Sequence, residues 1–262
     1  MLQPMSPRTL RHWCACILAV LCPFPAALAQ NTHSRPPDFE NVPYGHHERN
    51  VLDLWQAKSN EPTPALVFIH GGGFLRGDKK DVHHLLLDLC LEAGISVASI
   101  NYRYTRQAMY PGPMLDAARA VQFLRYRAHE WKLDSNRFAA SGTSAGAGIS
   151  LWLAFHDDLA DPTSDDPVRR QSTRLSCAAV NGAQTTYDPR VISRLISDSA
   201  ARHPLFGPLF GLQGEDVNSE RTFRLFEDAS PVTHVSAGDP PVLLFYGEPD
   251  KPVPAGAKPG RG

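Results

Sequence analysis

"FAASGTSAGAG", residues 138–148, is the stretch on which the reading of this chain turns. It runs from a short apolar segment (137–141) through two glycines that flank a serine, and on into "SAGAGISLWLAFHDDLA" (144–160). Gly142, Ser144 and Gly146 make the pattern G-x-S-x-G. On its own that pattern is common, and a serine merely capping a helix is the plain alternative. The context is more demanding. A sharp strand-to-helix turn needs glycines two residues to either side, because side chains there would collide. Such a turn holds a serine Oγ clear of the backbone, near the positive end of the following helix. Ser144 is therefore the candidate nucleophile.

Working outward, the chain alternates strand and helix. "ALVFIH" (65–70) is a continuous apolar run bounded by Pro64 and a glycine run, the signature of a strand buried on both faces. "ISVASINYRY" (95–104), "CAAVNGA" (177–183) and "PVLLFYG" (241–247) read as further buried strands, and "NVLDLWQA" (50–57) as an edge strand. Helices are expected over 81–94, 113–131 (with Pro113 at its start) and 144–160. This order predicts an α/β fold, a mostly parallel central sheet with helices on both faces. Residues 161–176 read as a charged surface loop. Residues 184–235 form an insertion of short helical pieces, of a size that commonly builds part of the wall over an active site.

Composition sets the outer bounds. The 262 residues are 42% hydrophobic and 20% charged with net charge −1, which suits one large domain and gives no surface for nucleic acid. Residues 1–29 differ from the rest: Arg8 and Arg11, an apolar run from Trp13, and a small-residue ending at Ala29. That order predicts a signal peptide cleaved near Ala29, hence a secreted or periplasmic protein without stable membrane insertion. Residues 30–43 read as a flexible lead-in and 44–262 as a single α/β domain, incomplete at its C-terminus, that carries the insertion 184–235. Of five cysteines, Cys90 and Cys177 lie beyond the signal, and each reads as a separately buried thiol.

"FIHGGGFLRGDK" (68–79) supplies the complement to Ser144. Three glycines directly after a buried strand let the backbone turn its N–H groups toward a ligand. A tetrahedral intermediate formed by Ser144 develops an oxyanion that needs such donors. Gly72 and Gly73 are the expected donors, with the amide of Ala145 as a third. His70 closes its own strand and reads as a structural residue. Asp250, in the turn after strand 241–247, is the candidate acid that would orient an imidazole, with Glu248 as the fallback.

"HGGGF", "INYRY", "GTSAGAG" and "LLFYGEPDKPVP", in this order and spacing, resemble the α/β-hydrolase fold. Among its members they are similar to the hormone-sensitive-lipase-like esterases and to BD-FAE-like secreted carboxylesterases, over roughly residues 42–254. The resemblance implies an esterase acting through an acyl-enzyme, without metal or organic cofactor, on small-molecule or carbohydrate-borne esters. An amidase or peptidase with the same machinery is the enzymatic rival. The N-terminal helical cap of the lipase-like branch is not expected, since so few residues separate the signal from the first strand.

The resemblance also implies a histidine on a loop beyond Asp250, followed by a last helix. Residues 251–262 contain no histidine. Upstream, His156 is expected about 18 Å along its helix from Ser144, and His234 at the opposite end of the sheet. His203, in the insertion, has the best remaining geometric claim. The chain thus reads as an esterase interrupted before its last helix and histidine loop, with a binding-only protein on the same fold as the alternative. Its last strand is expected to carry an exposed apolar face.

Overall fold

The computed structural model describes residues 35–212 and 218–247. Seven strands form one sheet in the order β1-β2-β4-β3-β5-β6-β7. They are β1 (Phe39–Pro43), β2 (Val51–Trp55), β3 (Thr63–Ile69), β4 (Ser96–Ile100), β5 (Leu133–Thr143), β6 (Cys177–Asn181) and β7 (Val242–Phe245). The β1–β2 and β2–β4 pairs are antiparallel, and every other pair is parallel. Every residue of β3 and of β4 is buried, as a strand covered on both faces requires.

Strand pleat assigns the two faces. Ala65, Val67 and Ile69 enter one apolar cluster, whereas Leu66 and Phe68 enter another, as alternation along β3 dictates. Helices α2 (Gly112–Tyr126) and α3 (Ala145–Phe155) cover the first face with Ala117, Val121, Ile149 and Trp152. Helix α1 (His84–Glu92) covers the second with Leu86, Leu87 and Cys90. Cys177 belongs to that same cluster, and both thiols are buried and form no disulfide, as expected.

The insertion contains α4 (Pro189–Leu195), α5 (Asp198–Ala201), α6 (Phe206–Phe210), α7 (Glu220–Ala229) and a 3-10 turn over Pro231–His234. The loop at 161–176 is tied down by α2 through a backbone carbonyl and a carboxylate. Gln122 Nε2 donates to Gln171 O at 2.8 Å, and Arg119 Nη1 pairs with Asp166 at 2.7 Å. Among the described residues no helix is long and apolar enough to cross a membrane.

Two expectations change. Residues 39–43 of the supposed flexible lead-in are strand β1, and "NVLDLWQA" is consequently an inner strand, not an edge. "FENVP" carries no alternating pattern, so nothing local announces it. It is held by Asn41 N donating to Asp53 Oδ1 at 2.7 Å and by Asp38 N donating to Leu54 O at 2.9 Å. At the other side, β7 ends the sheet among the described strands, with Leu244 and Tyr246 exposed.

A buried ion pair joins the antiparallel edge to the segment after the glycine loop. Lys79 Nζ donates to Asp53 Oδ2 at 2.6 Å, and the two side chains are 2% and 4% exposed. Removing one partner leaves the other charge buried alone, which costs about 3–5 kcal/mol. Lys79→Met is therefore expected to lose about that much unfolding free energy in a urea titration. A loss below about 1 kcal/mol would mean that water solvates Asp53.

Candidate active site

Ser144 joins the last residue of β5 to the first of α3 with φ 54° and ψ −120°. A non-glycine residue in such a region costs about 1–3 kcal/mol and persists only where its surroundings impose it. Here they do. Ser144 N donates to Asn181 O of β6 and Gly148 N donates to Ser144 O, both at 3.0 Å. The two flanking glycines are steric necessities. A Cβ on Gly142 would lie 2.6 Å from Ile69 O and from the backbone of Gly146. One on Gly146 would lie 2.0 Å from Ile69 O and 2.5 Å from His70 O. The ends of β3 and β5 and the first turn of α3 thus meet backbone to backbone.

The glycine run leaves β3 at this point. Gly71 passes closest to the serine, since a Cβ there would sit 2.8 Å from Thr143 O and 3.6 Å from Ser144 Cβ. Gly72 and Gly73 follow with φ 104° and 62°, and Phe74 with 61°. Gly72 O accepts from the amides of Leu75 and Arg76, at 3.1 and 3.2 Å, which tightens the turn. Other carbonyls of the loop are held by the residues after β4. Tyr102 Oη donates to His70 O at 3.0 Å, and Tyr104 Oη to Gly77 O at 2.5 Å. Arg49 Nη2 also donates to Gly77 O, at 3.2 Å.

His70 is fully buried and stacked on Tyr102 with ring centroids 4.3 Å apart. Its Nδ1 donates to Gly71 O at 2.8 Å, because a carbonyl can only accept; Nε2 then faces Arg49 Nη2 at 3.3 Å as the acceptor. Burial, with the Arg49 guanidinium adding to it, holds this imidazole below its ordinary pKa, although the bond to Gly71 works the other way. With both nitrogens engaged in the loop, His70 is a brace, as expected from its position.

The structure brings Ser144, Ala145, Gly72 and Gly73 to one edge, where Ile69 pairs with Gly142. Phe245, the last residue of β7, pairs with Asn181 at that same edge. Asp250 and Glu248 lie outside the described residues. Among the described residues, no side chain hydrogen-bonds to Ser144 Oγ. His156 caps the far end of α3, and His234 lies beside it with ring centroids 4.8 Å apart, so both are remote from the serine as expected. His203 Nδ1 instead accepts from Leu205 N at 3.3 Å.

The insertion covers the glycine loop. Leu205 Cδ1 is 2.9 Å from the point where a Gly73 Cβ would be, and Tyr187 and Phe74 rings lie 6.4 Å apart. Sequence reasoning missed Gly71, Arg49 and the bracing tyrosines. The alternation of Tyr102 and Tyr104 just past a buried strand was the available signal for the latter.

A family model described as BD-FAE matches residues 52–257. The chain is 31% identical over 220 residues to "Probable carboxylic ester hydrolase LipM" of Mycobacterium tuberculosis, covering 82% of this chain and 48% of that protein. To "Esterase LipC" of the same organism it is 28% identical over 232 residues, covering 85% and 53%. The chain spans about half the length of these curated relatives. Among solved structures it is similar to "Truncated form of carbohydrate esterase from gut microbiota", with TM-score 0.68 at 21% identity over 86% of this chain and 81% of that one. A second is the acetyl ester-xyloside bifunctional hydrolase from Caldicellulosiruptor lactoaceticus, with TM-score 0.62 at 23% identity over 81% and 75%. The fold is that of the α/β-hydrolases.

Two measurements probe this geometry. Gly146→Ala is expected to destabilise the protein by about 3 kcal/mol or more, since backbone must move to admit the methyl group. Gly94→Ala, at φ 75° with nothing within 4 Å, is expected to cost only about 1 kcal/mol of backbone strain. Equal losses for the two would refute the close approach. For His70 the unfolded chain binds a proton below about pH 6.5 and the folded one resists it, so stability falls as pH drops through that range. The urea midpoint is expected to fall between pH 7.5 and 5.5, and less so in His70→Asn; an unchanged slope in the variant would remove His70 as the cause.

Proposed function

The chain belongs to the BD-FAE family, and from that premise we propose that it is a serine hydrolase of carboxylic esters. The observation that carries the reading is the strained Ser144, held at φ 54° between Thr143 and the N-terminus of α3, with the glycine run alongside. A serine costs stability in that conformation, and projecting Oγ toward a substrate is what the conformation achieves. Ser144 Oγ would attack the acyl carbon as its proton passes to an imidazole. The amides of Gly72, Gly73 and Ala145 would hold the oxyanion. Collapse of the tetrahedral intermediate expels the alcohol, and water then releases the acid from the acyl-serine. Asp250 is assigned the acid that orients the imidazole.

Ester rather than amide chemistry follows the names of the relatives, both ester hydrolases. Short acyl groups on small alcohols or on carbohydrate are the proposed substrates. Leu205 over Gly73 leaves little length beside the loop, and one fold neighbour is a carbohydrate esterase. Residues 1–29 suit export of the enzyme to the periplasm or beyond.

A second reading rests on one observation, that no described side chain hydrogen-bonds to Ser144 Oγ: the chain would bind an ester or polysaccharide without cleaving it. Added imidazole separates the two. The 262-residue chain alone is expected to hydrolyse p-nitrophenyl acetate no faster than Ser144→Ala. With imidazole supplying the base, the unmutated chain should exceed the variant by about tenfold or more. Equal rates at every imidazole concentration would leave the binding protein.

A further inference from the structure

We propose that His156, Asp228 and His234 form a site for a divalent transition-metal ion, with Zn²⁺ the best match to the donors. One ligand atom of each lies within 4.8 Å of the others. The three residues come from separate elements: the C-cap of α3, the last turn of α7 and the end of the 3-10 turn after it.

Hydrogen bonds prepare the donors. His234 Nε2 donates to Asp228 O at 2.7 Å, and His156 Nδ1 to Asp157 O at 3.1 Å. Carbonyls only accept, so these nitrogens carry the protons, and the opposite nitrogen of each ring keeps its lone pair. A histidine ligand that donates its other N–H to a backbone carbonyl is the ordinary support of a metal site. The Asp228 carboxylate accepts from Tyr110 Oη at 2.7 Å through Oδ2, which leaves Oδ1 available. Trp152, buried in the first cluster, sets both rings. Its indole lies 4.1 Å from the His156 ring and 6.5 Å from that of His234, and its Nε1 donates to Asp228 O at 3.3 Å.

The electrostatics agree. His156 stands at the C-terminal, negative end of an eleven-residue helix, where a cation is favoured. Two imidazoles and one carboxylate suit Zn²⁺ and its neighbours rather than Ca²⁺ or Mg²⁺. Bond lengths of about 2.0–2.2 Å require ligand atoms within roughly 4 Å of one another, so the set, now within 4.8 Å, would have to contract around an ion. A water molecule would complete four-coordination from the surface.

The site lies at the opposite end of α3 from Ser144, about 18 Å along the helix axis. Its role is structural, therefore, and separate from ester hydrolysis. Asp228 and His234 belong to the insertion that covers the glycine loop, whereas His156 belongs to the helix that presents the serine. A bound ion would clamp one onto the other.

The test uses the untagged full chain, stripped with EDTA and titrated with Zn²⁺ by calorimetry. One equivalent is expected to bind saturably and to raise Tm. His156→Ala and His234→Ala should each weaken binding about tenfold or more, and His84→Ala should not. Asp228→Asn, which keeps an oxygen for Tyr110, serves if an alanine variant fails to fold, and should also weaken binding. Absence of a saturable equivalent, or undiminished binding in the His156→Ala/His234→Ala double variant, would overturn the proposal.

Discussion

The approach of Gly146 to the carbonyls of Ile69 and His70 is the constraint on which the site depends. With a Cβ position 2.0 Å from Ile69 O, the first turn of α3 sits as close to the end of β3 as backbone allows. The consequences are immediate. The chain leaving β3 has to pass beside Ser144, and Gly71 is the residue that does so. The serine between β5 and α3 has to take a positive φ, because an ordinary turn would not bring the helix back onto β3. One missing side chain therefore joins Ser144 to the loop that faces it.

Strain at one point has to be offset around it. A single hydrogen bond contributes only about 1 kcal/mol net, so the loop is held by many. Tyr102, Tyr104 and Arg49 bind its carbonyls from one side, and His70 is stacked on Tyr102. The Lys79–Asp53 pair then ties the segment beyond the loop to β2, and Asp53 in turn holds β1 through Asn41. These bonds tie the antiparallel side of the sheet to the glycine loop and the segment beyond it. A rigid loop of this kind suits the stabilisation of developing charge, which requires donors fixed in advance.

The insertion plays two parts. Its Leu205 lies over Gly73, so a segment between β6 and β7 covers the glycine loop. Its later part, from Phe226 to His234, packs along α3. Phe226 and Ala229 are buried in the same cluster as Trp152, and Asp228 and His234 meet His156 there. The helix that follows Ser144 is thus gripped at both ends.

The strand–helix alternation, both faces of β3, and the tight turn at Ser144 with its two glycines were legible in the residues themselves. Each reflects a local demand: a positive φ, the absence of a Cβ, or burial on both faces leaves its mark on residue type at fixed spacing. Asp250 falls outside the described residues. Other features had no local mark. "FENVP" became a strand because Asp53 and Leu54 offered it partners, and β2 became an inner strand for the same reason. Gly71 rather than its neighbours touches Ser144 because of where α3 packs, and Tyr102 and Tyr104 brace the loop because β4 lies beside β3. His156, Asp228 and His234, far apart in the chain, meet only when the insertion folds back along α3. Sequence alone determined the turns and the covered strands, because backbone geometry constrains each residue where it stands. Tertiary structure decided the partnerships, because these depend on summed weak contacts between segments that no short window of sequence contains.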